Sequence, residues 1–215
     1  MPLSTLWSAV STLALSLPAV FGIRAVWEQP SYEVVARLDD ATEVRRYGDR
    51  VAAEVTVAAA TPDAARAEAF GLLFRYIAGA NRAHAAVSMT APVATDTGPE
   101  PVAMTTPVEA ASEDGATRMR FFLPARYTID SAPVPADARI RIVPIAGETV
   151  AAVCFSGAAG DDAVRTRTHA LQALLSQSEW QATGRPVTFT YDPPFTIPFL
   201  RRTEVVVAVA RRRTA

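Results

Sequence analysis

Cysteine is almost missing: Cys154 is the only one in 215 residues. A single thiol closes no intrachain disulfide and builds no cysteine zinc site, so the fold has to stand on packing. Lysine is absent, and all 21 basic residues are arginine, set against 22 acidic residues and two histidines for a net charge of −1. Without a basic excess the chain lacks the electrostatic footprint of a nucleic-acid binder, and no nucleic-acid partner is expected. There is no Gly-x-Ser-x-Gly elbow, no glycine-rich phosphate cradle and no His-Glu-x-x-His helix, which removes the commonest hydrolase, nucleotide and zinc-protease signatures. What is plentiful is apolar surface. Half the residues are hydrophobic and a fifth are charged, which excludes a disordered chain and suits one domain with a buried core.

The longest uncharged run comes first. Leu3 to Ile23 holds no ionisable side chain and ends at Arg24. Twenty-one residues at about 1.5 Å each span a hydrocarbon core of about 30 Å. Residues 1–23 are therefore expected to be a membrane anchor or signal segment. The anchor is favoured because no basic residue precedes the run, which is longer than a usual signal core. Export after signal cleavage is the alternative, and a buried helix of the fold is a third. Arg24 and Arg37 lie on the C-terminal flank, which by the positive-inside rule sets the domain in the cytoplasm.

Pro30 and Ser31 mark a break, and the folded domain is expected over 32–210. Tyr32–Leu38 and Ala41–Tyr47 read as strands around an Asp39-Asp40 turn. Val51, Ala53, Val55 and Val57 alternate, as in a strand with one buried face. Thr61-Pro62-Asp63 opens a helix, with Thr61 as N-cap and Pro62 as the first helical residue. Phe70, Leu73, Phe74 and Ile77 recur at helical spacing, and Gly79 closes the helix. A second round follows. Ala138–Ile145 and Thr149–Phe155 read as strands around an Ala146-Gly147-Glu148 turn. After them comes a helix with Val164, Leu171, Leu174 and Leu175 on one stripe, then strands at Val187–Tyr191 and Glu204–Ala210. The adjacent carboxylates Asp161 and Asp162 are read as capping that helix. The order strand, strand, helix, strand occurs twice, giving an α+β domain of two similar halves.

Between the halves lies a short repeat. Val87-Ser88-Met89-Thr90-Ala91-Pro92-Val93 returns fifteen residues later as Val102-Ala103-Met104-Thr105-Thr106-Pro107-Val108. This doubled unit resembles the SOUL family, also called the heme-binding protein family. Further matching motifs follow in order: Glu43-Val44-Arg45-Arg46-Tyr47, Tyr76-Ile77-x-Gly79-x-Asn81, Phe155-Ser156-Gly157, Tyr191-Asp192-Pro193-Pro194, and Pro198-Phe199-Leu200-Arg201-Arg202-Thr203-Glu204-Val205. The family usually has asparagine where Thr203 stands. The resemblance covers Tyr32 to Val209. It implies an eight-stranded antiparallel barrel-like sheet in two pseudo-symmetric halves, flanked by two long helices, and it implies heme or another tetrapyrrole as ligand.

Axial ligation of heme iron needs His, Met, Cys or Tyr. Some family members carry a histidine in the Glu-Val-Arg-His-Tyr form of the early motif; here that position is Arg46, so that ligand is gone. His84, in the loop after the first helix, is a candidate to approach a ligand. Met89 and Met104 could ligate iron or pack on the ring. His169 falls on the polar stripe of the second helix with Arg165, Gln172 and Ser176. Cys154 reads as a small core residue. A ring can also be held without ligation, by an apolar surface with arginines for its propionates. The first helix offers Phe70, Leu73, Phe74 and Ile77 flanked by Arg66 and Arg75, and the resemblance points to the same helix. Ala65, Ala69, Leu72 and Tyr76 form a second apolar row, leaving one row to pack inward and the other to face a ligand. The functional expectation is reversible tetrapyrrole binding for buffering or delivery. The alternatives are a tetrapyrrole-processing enzyme such as a metal-removing activity, for which His84 with Glu68 is the best nominee, and a module for another flat apolar ligand.

Overall fold

The computed structural model describes residues 28–83, 86–87, 91–96, 116–157, 160–192 and 196–212. The expected anchor or signal segment at 1–23 lies outside them, as do His84, Met89, Met104 and most of the Met-Thr repeat. No helix among the described residues is long and apolar enough to cross a membrane.

The chain runs β1 (Tyr32–Arg37), β2 (Thr42–Tyr47), β3 (Arg50–Ala58), α1 (Pro62–Ile77), β4 (Val93–Asp96), β5 (Ala116–Phe122), β6 (Arg141–Ile145), β7 (Glu148–Ser156), α2 (Asp161–Ser176), β8 (Trp180–Ala182), β9 (Val187–Thr190) and β10 (Arg202–Arg211). Nine strands form one curled antiparallel half-barrel in the order β1-β2-β7-β10-β9-β4-β5-β3-β6, and β8 pairs with β10 off this path. The expected eight-stranded sheet is thus corrected: β1 extends one edge as a ninth strand, and the short β8 adds a tenth. Exchanging β2 with β6, β3 with β7, β4 with β9 and β5 with β10 maps the remaining order onto itself. The axis of that exchange runs between β4 and β9, where Ala94 stands opposite Phe189.

Strand alternation sorts residues onto two faces. On one face α1 covers β3 and β5, and α2 covers β7, β8 and β10. Under α1, Ala53, Val55 and Val57 of β3 and Met119 and Phe121 of β5 meet Leu72, Leu73 and Tyr76. Under α2, Ala151, Val153 and Phe155 of β7 and Val205 and Val207 of β10 meet Leu171 and Leu175. The opposite, inner face carries a third cluster that includes Ala52, Phe122, Val150, Phe189 and Val206. A fully buried leucine or phenylalanine contributes about 1.5–3 kcal/mol relative to exposure, so these three clusters are what the cysteine-poor chain relies on.

The local signals act as read. Thr61 accepts from the Ala64 N–H at 3.2 Å, and Pro62 occupies the first turn of α1. Gly79, at φ 110°, ends it: the Gly79 N–H donates to Tyr76 O and the Ala80 N–H to Arg75 O, the paired closure that a left-handed residue allows. In α2 the capping reading is corrected. Gly160 is the N-cap, while Asp161 and Asp162 lie inside the first turn, where they complement the helix dipole and pair with Arg66 and Arg165.

Candidate functional site

α1 is the element on which ring-binding residues were expected, and the sheet beneath it decides which of them are free. The buried arc is Ala65, Ala69, Leu72, Leu73, Tyr76 and Ile77. Leu73, at 0% exposure, and Ile77, at 6%, therefore belong to the core, which removes them from the expected ligand-facing stripe. The second apolar row packs inward, and it takes Leu73 and Ile77 with it because both lie at the edge of the same arc. Phe70 is half-buried, with its ring edge-on to Phe121 at 5.5 Å and stacked on Phe74 at 6.0 Å. Phe74 remains open at 48%.

The two expected arginines separate as well. Arg66 bridges the helices, pairing with Asp63 at 2.6 Å and with Asp161 of α2 at 3.2 Å. Arg75 is exposed and forms no ion pair among the described residues. Gly71 lies between Phe74 and Arg75 on the outer face, and a Cβ there would meet only Arg75 Nη1, at 3.6 Å. The guanidinium thus lies over a low saddle in the helix surface.

Beside Arg75 opens a cleft of about 450 Å³, lined by Leu72, Arg75, Tyr76, Ala80, Ala136, Asp137 and Ile140. Its far wall is fixed to α1 by hydrogen bonds. Tyr76 Oη donates to Pro133 O at 2.9 Å, the Arg82 N–H to Val134 O at 2.9 Å, and the Ala136 N–H to Ala80 O at 3.3 Å. Burial, with Tyr127 adding to it, raises the Tyr76 phenol to about 12, so it stays a neutral donor at any ordinary pH. The side chain and backbone N–H of Arg139 hold Asp137 down at about 2, and Arg139 also pairs with Glu68 at 3.0 Å. Arg75 is then the cleft's cation without an ion-pair partner among the described residues. Sequence reasoning missed Ala136, Asp137 and Ile140; it had Leu72 and Tyr76 only as the alternative row.

The other expectations distribute as follows. His169 is exposed on the outer stripe of α2 with Arg165, Gln172 and Ser176. Burial, then the Glu204 charge, pushes the Cys154 thiol up, away from a thiolate ligand. Arg46 is exposed and pairs with Glu33 at 3.0 Å. Glu68, nominated as an acid-base group, is held by Arg139. No group of three or more His, Cys, Asp or Glu suited to a metal ion occurs among the described residues.

The motifs that carried the resemblance meet in the sheet. Arg45 from the first motif donates to Glu204 at 2.8 Å and to Glu43 at 2.9 Å. Tyr191 Oη donates to Glu204 at 2.7 Å, Arg202 Nη2 donates to it at 2.6 Å, and the Arg202 N–H donates to Asp192 at 2.6 Å. Arg201, beside it, donates to Thr196 O at 2.8 Å.

Among solved structures, the C-terminal domain of EcmrR is similar to this chain, with a TM-score of 0.58 at 11% identity over 84% of this chain and 98% of that one. A hydrolase from Listeria innocua is similar at a TM-score of 0.53 and 10% identity, over 82% of this chain and 94% of that one. Likeness at such identity shows the fold alone. No curated protein matches the chain in sequence. The family model of the SOUL heme-binding protein matches residues 27–208. The chain therefore belongs to the SOUL heme-binding protein family, a membership that supports heme or tetrapyrrole binding in general.

Proposed function

We propose that this protein binds heme or a related tetrapyrrole reversibly, on the outer side of α1 and without axial ligation, for buffering or delivery. The observation that carries the reading is the apolar cleft of about 450 Å³ along α1 with Arg75 at its edge. Its size falls within the range of about 300–1,000 Å³ typical of small-molecule sites. One ring edge enters the cleft along the exposed Ala80 and Ala136, the face rests over Gly71 toward Phe74, and a propionate pairs with Arg75. Phe70 backs Phe74 by stacking. Leu73 and Ile77 support the helix from within, and Arg66 aligns it against α2. Arg46 stands where some relatives have histidine, and Cys154 is disfavoured as a thiolate; both favour a hold that does not depend on iron.

The test is titration of the full-length chain with hemin and with metal-free protoporphyrin. Similar, saturable binding of both supports the reading, with affinities within about tenfold. Strong preference for iron overturns it and points to His84, Met89 or Met104 as ligand. Release of fluorescent free porphyrin from bound heme on incubation would replace buffering by metal removal.

The same reading places the domain at a membrane through residues 1–23. Membrane fractionation with an intact-mass measurement tests this: a soluble chain lacking those residues indicates cleavage and export instead.

A further inference from the structure

A second cleft lies on the inner face of the sheet, away from both helices. Alternation sends Phe122 of β5, Ile145 of β6, Val150 of β7, Phe189 of β9 and Val206 of β10 to that face, and they line a cleft of about 110 Å³. Phe122 and Phe189 meet edge-to-face, with ring centroids 5.8 Å apart and planes at 69°. The rim is charged. Arg118, Arg120 and Arg185 stand on it with Glu148.

The carboxylates among the described residues of this face are already engaged. Glu54 accepts from Arg120 at 2.7 Å and from Arg141 at 2.5 Å, and Glu148 accepts from Arg50 at 2.5 Å. Asp96 stands opposite Arg118 in the β4–β5 register. Among the described ion pairs, Arg120 and Arg141 thus share one carboxylate, and Glu148 is taken by Arg50. Arg185 is exposed and has no ion pair among the described residues. Arg50 lies behind the floor, 8% exposed, with its guanidinium 4.9 Å from the Phe122 ring centroid and 4.3 Å from that of Tyr47. Its Nε and Nη1 have no hydrogen-bond partner among the described residues. A buried cation with unused donors next to an apolar floor raises the positive potential that an incoming anion meets.

We propose that this inner cleft binds a small carboxylate whose hydrocarbon part is a single ring or a short branched chain. Volume sets the size: an apolar cavity of about 150 Å³ accepts benzene, and this cleft is of the same order and far below what a tetrapyrrole needs. The ring packs against Phe122 and Phe189 in the offset or edge-on manner aromatic pairs prefer. The carboxylate pairs at the rim with Arg185, where a charge-assisted hydrogen bond replaces water. The positive potential of Arg185 and the buried Arg50 disfavours a cation of the same shape.

Benzoate, benzyl alcohol and benzylamine share one ring and differ in charge, so calorimetric titration of the full-length chain with each is the test. Benzoate is expected to saturate at least about tenfold more tightly than benzyl alcohol, with benzylamine weakest. Arg185→Glu, an exposed change that spares the core, is expected to weaken benzoate about tenfold. Ala208→Trp, which fills the cleft, is expected to abolish it. Phe74→Ala should leave benzoate binding unchanged, and benzoate should not displace hemin, so failure here and failure of the α1 reading are distinguishable. Equal uptake of all three compounds, indifference to Arg185→Glu, or no saturation by about 10 mM benzoate overturns the proposal.

Discussion

Arg45 Nη1 and Glu204 Oε2 lie 2.8 Å apart, with side-chain exposures of 3% and 0%. They come from β2 and β10, which are not paired to each other; β7 runs between them. The contact therefore spans a whole strand and ties an outer strand of the sheet to its centre. Glu204 is also met by Tyr191 and Arg202, so its charge is compensated from three sides. Removing one partner strands the rest: Glu204→Leu or Arg45→Met is expected to destabilise the chain by about 3–5 kcal/mol. The double variant should recover part of that loss, because a buried pair replaced as a unit is far less harmful. Urea unfolding of the three variants checks this. Strictly additive losses would show that the two side chains act independently.

Acid should undo the same fasteners. Burial alone would raise Glu204 and Glu54, but the hydrogen bonds and charges of their arginines prevail and hold both below the usual carboxylate value of 4.5. Each carboxyl is thus a stronger acid folded than unfolded, and the unfolded chain takes up protons first as pH falls. Their contribution is complete above the unfolded value and is lost as pH drops through the folded one. The urea midpoint is expected to be level from about pH 7 to pH 5.5 and to decline below about 4.5. In Glu204→Gln the decline should be shallower. A wild-type midpoint that holds level to about pH 3 would contradict the assignment.

Alkali tests the cleft wall. Tyr76 is raised to about 12 from an ordinary 10, so the folded state holds its proton where the unfolded chain has lost it. That stability is present below pH 10 and is lost as pH rises from about 10 toward 12. Tyr76→Phe removes this loss but leaves Pro133 O without its donor, at a cost of about 1 kcal/mol near neutrality. Phenolate absorbance with thermal melts separates the two effects. A Tyr76 that titrates at its ordinary value would mean the cleft wall is open to water.

What the sequence made legible was local. The start of α1 at Thr61-Pro62, its end at Gly79 and the alternation of Val51 to Val57 each depend on neighbouring residues. Strand β5 carries an equally clear signal, with Thr117, Met119 and Phe121 alternating into the core, and it is absent from the expected strands. Three-residue β8 is too short to carry a period. Leu73 and Phe74 could not be separated from sequence, because two apolar rows overlap on α1 and only the position of β3 and β5 selects the buried arc. The cleft's far wall was beyond reach for another reason: Pro133 and Ala136 come from a loop with no periodicity, and Ile140, expected within a strand over Ala138–Ile145, lies just ahead of β6 at Arg141–Ile145. The same holds for Arg45 and Glu204, which lie 159 residues apart; their motifs were visible, but not that they touch.

One turn of α1 separates stability from binding. Leu73 is sealed in the core, and Leu73→Ala is expected to destabilise by about 2–5 kcal/mol through lost contacts and a cavity. Phe74, half open, should lose less than about 1 kcal/mol on change to alanine, yet weaken hemin several-fold because its ring borders the shelf over Gly71. The arginines divide in the same way. Arg75→Glu places a carboxylate where a propionate would pair and is expected to weaken hemin by about tenfold or more. Arg66→Glu breaks contacts to Asp63 and Asp161 instead, which are exposed and worth under about 1 kcal/mol, and should leave hemin affinity within about twofold. Hemin titrations of the four variants, each with a urea curve, read both quantities. If Phe74→Ala and Arg75→Glu bind hemin as the wild type does, the ring does not sit on this side of α1. If Arg66→Glu is the one that fails, the ligand lies toward α2 instead.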